Sequence, residues 1–417
     1  MDVTHDVAGF EGFNLIEPSD YAERGYPHPL FTKLRQQHPV FRWERTGGLP
    51  FWAITKYEDI VAISKDPTRF ISERRLVLQN RPEEEDLFPK TLIQMDPPKH
   101  TDYRKAMSRR FTPGKMRHLH QDIEKIAGEI VDGLLSRGRE GECDFVHEVS
   151  APLPIAVIAW MLGVPKADWR LLFDWTNRTI GATDPEFQQP GKTSQETALE
   201  AMAELFTYFT ELVAEKRRNP CDDLVTAFAH MEVNGERIPE IDVMTWCLII
   251  VIAGNETTRN ATSGGLLAFV ENPGEMRKVQ ANPGLMPSAV EELVRWTSPI
   301  IHFARTATED VELRGQTIHK GDALGVFYPS ANRDEDIFED PGTFRVDRSP
   351  NRHIGFGVGE HYCLGAHVAR LELEMVFKHL LPRFEEIELA GPVTRLHSAL
   401  VGGVKSLPIR YRLRDLS

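Results

Sequence analysis

The chain has 417 residues, with 49 Lys and Arg against 62 Asp and Glu, a formal net charge of −13 with His neutral and a pI near 5.7. Apolar residues make up 41 % and charged residues 27 %, an ordinary globular mixture rather than that of a disordered or fibrous chain. The acidic balance argues against a general nucleic-acid binder, whose footprint is basic. The longest apolar run, residues 246–253, stops at Gly254 after eight residues, short of the roughly 20 a membrane helix needs, so no membrane span is expected. The N-terminus lacks the basic stretch and apolar run of a secretory leader. Cys143, Cys221, Cys247 and Cys363 stand far apart with no CxxC pair, so no disulfide framework is expected and the setting reads as reducing and cytoplasmic.

In chain order, 41–55 reads as strands around a Gly-Gly turn. Apolar spacing of three and four predicts helices over 122–135 and 198–216, separated by a turn-rich surface loop at 181–194. Residues 239–271 read as one helix of about 50 Å at 1.5 Å per residue, apolar on every side at its centre and therefore buried all round. Polarity then interrupts it at Gly254, Asn255, Glu256, Thr257 and Thr258. Either the helix has reached the surface there, or polar groups are wanted inside a cavity, since buried polar atoms cost several kcal/mol unless satisfied. A helix over 286–296, alternating strands over 311–327, a helix over 364–381 and a strand over 407–413 complete the reading. The fold class is mainly α with a small β portion drawn from both ends of the chain, in one domain over 1–417.

Residues 356–366 read FGVGEHYCLGA. Gly357 and Gly359 allow backbone geometry closed to other residues, and Cys363 immediately precedes a helix whose N-terminus favours thiolate. The plain alternative is a buried cysteine near a turn. A zinc site through Cys363 and His361 fails on ligand count.

The string Phe356-Gly357-x-Gly359-x-His361-x-Cys363-x-Gly365 resembles the haem-binding signature of the cytochrome P-450 superfamily. Three more segments resemble that family's motifs: 253–257 its oxygen-binding helix, Glu292-x-x-Arg295 its ExxR helix, and 341–348 its meander, with 95–113 extending the likeness. Glu256 stands where many relatives carry Asp, and Arg345 where Asp is common. The resemblance implies the P-450 fold with a long central distal helix, and heme b (iron protoporphyrin IX) with Cys363 as its thiolate ligand. It places Phe356 and Gly357 beside the sulfur and sets His100, Arg104, Arg305 and His361 on the propionates. Glu292, Arg295 and Arg348 become a structural triad. Gly254 leaves room for dioxygen, and Thr257 and Glu256 are the catalytic pair that passes protons on the distal side. The implied reaction is O₂ + two electrons + two protons + RH → ROH + water, with electrons from a ferredoxin and ferredoxin reductase docking near Arg109, Arg110, Lys115 and Arg352. For a hydrophobic sterol, terpenoid or lipid-like substrate the expected pocket residues are Trp246, Ile249, Ile250, Ala253, Ile300, Ile301, Phe303, Leu400 and Val401, with Leu76, Val77 and Leu78 in a loop above. The alternatives are a peroxide-driven peroxygenase, which has no need of the Glu256–Thr257 pair, and a non-enzymatic haem-thiolate sensor, for which no signalling segment is present.

Overall fold

The computed structural model describes residues 12–44, 49–78, 90–110 and 113–414. Helices hold 52 % of the residues and strands 15 %, which bears out the mainly α class. The helices that build the site are α1 (Lys99–Ser108), α2 (Pro113–Leu135), α3 (Pro152–Leu162), α4 (Trp169–Ile180), α5 (Ser194–Arg218), α6 (Glu240–Glu271), α7 (Met286–Thr297) and α8 (Ala366–Leu380).

Local signals explain their ends. At the start of α5, Thr193 and Glu196 form a reciprocal capping box that satisfies two otherwise unpaired N–H groups. The α6 helix starts after Pro239 with Glu240 and Asp242 in its first turn, where acids offset the exposed N–H dipoles. Helix α3 stops at Gly163, whose φ of +70° suits glycine. By length and composition α6 could cross a bilayer, but 67 % of its apolar window is buried inside the protein, so its greasy surface is consumed by packing. One core cluster gathers Ile123, Phe269, Leu293 and Phe377 from α2, α6, α7 and α8. A second gathers Ile158, Leu172, Phe209 and Trp246 from α3, α4, α5 and α6.

The main sheet has the order β1-β2-β6-β5-β3, with β1 (Val40–Trp43), β2 (Phe51–Ile54), β3 (Phe70–Ile71), β5 (His302–Ala307) and β6 (Ala323–Phe327). Pairing is antiparallel except that β6 runs parallel to β2, Ala323 facing Phe51. A second sheet sets β8 (Pro408–Leu413) between β7 (Phe384–Leu389) and β4 (Glu140–Asp144). Both sheets join distant parts of the chain, as expected. The 311–327 stretch divides differently from its reading: 311–318 is a separate hairpin and only β6 enters the sheet. Strand β5 was not legible as a strand, because four of its six residues in a row are buried and alternation is lost.

Candidate functional site

A cavity of about 1670 Å³, its mouth included, lies between α6 on one side and the 355–365 loop with α8 on the other. Ile249, Ile250, Ala253, Gly254 and Thr257 line it as one stripe of α6. Ala253 is exposed in the middle of a helix whose neighbours are buried, because it faces this space. The polar interruption is thus a cavity wall and not an exit to the surface. Gly254 has a packing role too: a Cβ there would sit 2.9 Å from Ile158 Cδ1, so glycine lets α3 approach.

The opposite wall is the cysteine loop. Gly357 and Gly359 take φ of +71° and +78°, and a Cβ at Gly359 would meet the Ser64 carbonyl at 2.3 Å. The Cys363 N–H donates to the Phe356 carbonyl at 2.8 Å. Cys363 lines the cavity and is exposed. Burial pushes its thiol up, and the Gly365 N–H and the Arg104 and Arg370 cations pull it back only in part. Helix α8 begins at Ala366, two residues later than the sequence reading, so its dipole does not win this balance. The thiol is one that a bound cation would deprotonate.

Four bases converge on the same cavity. His100 is 1 % exposed, and among the described residues neither ring nitrogen has a hydrogen-bond partner. The ring of His361 lies 4.3 Å from it, tilted by 40°; its Nε2 lies 3.3 Å from Ser72 Oγ, and its Nδ1 has no partner among the described residues. Burial, then neighbouring cations, hold His100 down to about 4 and His361 to about 3. Among the described residues, buried Arg305 makes one hydrogen bond, from Nη1 to the Ala304 carbonyl at 2.8 Å, and Arg104 Nη2 donates to the Tyr362 carbonyl. Buried donors without acceptors call for an anion. A flat, iron-bearing dicarboxylate held by Cys363 meets that need, so the residues fit haem.

Behind the loop, Arg295 grips Glu292 through Nε and Nη2, both at 2.7 Å, and donates to the Asn332, Pro341 and Thr343 carbonyls. Arg348 Nε lies 3.1 Å from Glu292 Oε2, and the Arg345 N–H takes the other oxygen at 2.9 Å. Because the meander engages Glu292 through the residue 345 backbone, the arginine there leaves that geometry intact.

Thr257 Oγ1 donates to the Ala253 carbonyl at 2.7 Å. Glu256 does not line the cavity. It is 2 % exposed and pairs with Arg259 at 2.5 Å, while Arg259 also donates to Asn177 Oδ1 on α4. Burial pushes the Glu256 carboxyl up and Arg259 pulls it down, burial winning; Glu256 Oε1 has no partner among the described residues.

Ile300 and Phe303 line the cavity with Ile249, Ile250 and Ala253. The other expected pocket residues do not. Trp246 turns to the far side of α6, edge-on to Tyr103 and Phe228 at 5.3 Å each. Ile301 is fully buried in a cluster with Phe31 and Phe327. Val401 bridges Ile300, and Leu400 accepts the Ile301 N–H, so both serve backbone pairing. Leu78 packs against β6 and takes its N–H to His302 Nε2 at 3.1 Å; Leu76 and Val77 also lie off the cavity, and 79–89 lie outside the described residues. The lining adds Leu92, Ile93, Pro299, Tyr328 and Glu372. Glu372 extends the Ala369–Leu373 stripe, and burial pushes its carboxyl well up; nothing in the sequence marked Tyr328.

The family model described as Cytochrome P450 matches residues 15–283 and 284–409. Cytochrome P450-terp of a Pseudomonas species is 35 % identical, covering 99 % of each chain. The steroid C26-monooxygenase of Mycobacterium tuberculosis is 36 % identical over 96 % of this chain and 93 % of its own. The structure of Mycobacterium marinum cytochrome P450 CYP268A2 in complex with pseudoionone superposes with a TM-score of 0.88 at 34 % identity, covering 97 % of this chain and 99 % of that one.

Proposed function

The chain belongs to the cytochrome P450 family and is a monooxygenase, and from that premise we propose that it hydroxylates a neutral hydrophobic molecule of terpenoid, sterol or branched-lipid kind. The observation that carries this reading is one cavity with Cys363 on one wall, the Ile249–Thr257 stripe on the other and four bases converging on it. Those bases are taken up by the cofactor's carboxylates, and the remaining lining is chiefly Leu92, Ile93, Ile249, Ile250, Ile300 and Phe303. Among the described lining residues no cation is left for a substrate carboxylate, which favours an uncharged ligand. Relatives carrying the names steroid C26-monooxygenase and linalool 8-monooxygenase support the same class.

Haem of type b held through Cys363 supplies oxygen activation, the thiolate pushing electron density onto iron to favour O–O cleavage. His100, Arg104, Arg305 and His361 hold the propionates. Phe356 and Gly357 shape the loop that presents the sulfur. Thr257 keeps a hydroxyl on the distal wall, oriented by Ala253. Glu256, behind that wall and paired with Arg259, which also holds Asn177, takes part in passing protons toward it. Electrons from a ferredoxin and its reductase enter on the cysteine-loop side, where Arg109 and Arg352 are exposed and Arg110 is half-buried; the Lys115 side chain lies outside the described residues.

The test is titration of purified ferric protein with a terpenoid alcohol, a neutral steroid and a long-chain fatty acid, followed by the Soret shift that reports loss of iron-bound water. The neutral ligands are expected to shift it. A response to the fatty acid alone overturns the substrate class, and peroxide-driven turnover faster than ferredoxin-driven turnover overturns the electron source.

A further inference from the structure

Helix α7 carries two adjacent acids with separate duties. Glu292 ties the meander; Glu291 faces the cysteine loop. Glu291 takes Arg370 Nε at 2.6 Å and Nη2 at 2.9 Å in a forked pair, and lies 2.9 Å from His353 Nε2. The third guanidinium nitrogen, Nη1, donates to the Tyr362 hydroxyl at 3.1 Å. Held on three sides, the Arg370 guanidinium carbon sits 4.4 Å from the ring centroid of Phe356, inside cation–π range. Phe356 is the residue whose carbonyl receives the Cys363 N–H, and Tyr362 is the residue before Cys363. The loop on either side of the sulfur therefore leans on one arginine. Burial alone would raise Glu291, but the bonds from His353 and Arg370 outweigh it and bring the carboxyl down to about 2, so the clamp stays ionised.

Resting on the haem-thiolate reading above, we propose that Arg370 is a positioning residue that sets the electron demand of the Cys363 thiolate, its cation fixed behind Phe356 by Glu291 and Tyr362. A fixed positive charge beside an anionic ligand stabilises charge on the sulfur and draws density from the iron, which favours the reduced state. Arg370 is placed for this by geometry: the Glu291 fork defines its plane, and the Phe356 face defines its distance. Lysine at 370 would keep the charge but lose both the fork and the flat stacking surface.

The test is equilibrium reduction of the holoenzyme against a dye of known potential, with no protein electron donor present, so that a role in docking leaves the readout unmoved. Arg370→Met is expected to disfavour reduction about tenfold, which for one electron is about 59 mV, while the carbon-monoxide adduct keeps its thiolate-type band. Arg370→Lys is expected to move the same way by about threefold. A potential equal to wild type in Arg370→Met with that band intact overturns the proposal. Where the Met variant fails to load haem, a wild-type potential in Arg370→Lys does so. A wild-type protein that binds no haem refutes instead the functional reading beneath it.

Discussion

Replacing Arg259 with leucine leaves the Glu256 carboxylate stranded. The pair is almost fully buried, at 3 % and 2 % side-chain exposure and 2.5 Å apart, and Glu256 Oε1 has no second donor to turn to. A stranded buried charge is costly, but proton uptake caps the cost. At pH 7.5, three units above the ordinary value of 4.5, the cap is about 4 kcal/mol at 1.36 kcal/mol per unit; at pH 5.5 it is about 1.4 kcal/mol. Wild type already bears part of this, since burial outweighs Arg259. The expected loss for Arg259→Leu is therefore about 2 kcal/mol at pH 7.5 and well under 1 kcal/mol at pH 5.5. A pH-independent loss of about 1 kcal/mol comes on top, from the bond to Asn177. The sign follows from linkage: an acid whose folded pKa is raised costs the fold nothing below its unfolded value and progressively more as pH rises toward the folded one. Urea unfolding at the two pH values, alongside the double variant Glu256→Gln/Arg259→Leu, measures the effect. The double variant should lose the pH dependence. A loss from Arg259→Leu that is equal at pH 5.5 and 7.5 refutes the claim that Arg259 keeps Glu256 ionised.

Thr257→Ala should retain haem and NAD(P)H consumption while several-fold less product and correspondingly more hydrogen peroxide appear; unchanged product per NAD(P)H counts against its proton role. Haem-free protein should lose stability on acidification, because His100 is held down to about 4 and the unfolded chain takes up a proton as pH falls from 6.5 toward that value. The loss is on the order of 2 kcal/mol, and His100→Asn should show a shallower fall in Tm between pH 7.5 and 5. Gly359→Ala combines left-handed backbone with a 2.3 Å approach to Ser64 O, whereas Gly315→Ala has φ of +77° and open space. The second should cost about 1 kcal/mol and the first clearly more; equal Tm losses would show that the Ser64 contact yields freely.

Legibility in the sequence followed local chemistry. Cys363 and its glycines stand in one short string, and α6 runs Glu240–Glu271 against a reading of 239–271, because Pro239 and the Asn-Pro-Gly after it are local punctuation. The facing of Trp246 was illegible for the reason that made the helix obvious: a segment apolar all round has no preferred side. Leu400 and Val401 read as pocket residues on apolarity alone, while their bridge to Ile300 and bond to Ile301 depend on partners a hundred positions earlier. Glu256 was read as a polar group facing the cavity and lies buried behind its wall instead, and its partner Arg259, three residues on, passed unnoticed because such spacing on a helix is usually a solvated surface pair.

The parallel seam between β2 and β6, where Trp52 Nε1 reaches Asp322 at 2.8 Å across 270 positions, has a consequence for biosynthesis. Strand β2 has no neighbour on that edge until about 270 further residues have emerged, and β4 waits a similar distance for β8. Such distant closures are slow, so that edge stays open to wrong pairing while the chain grows. On the function proposed above, porphyrin capture through residue 363 follows only after β6 has emerged.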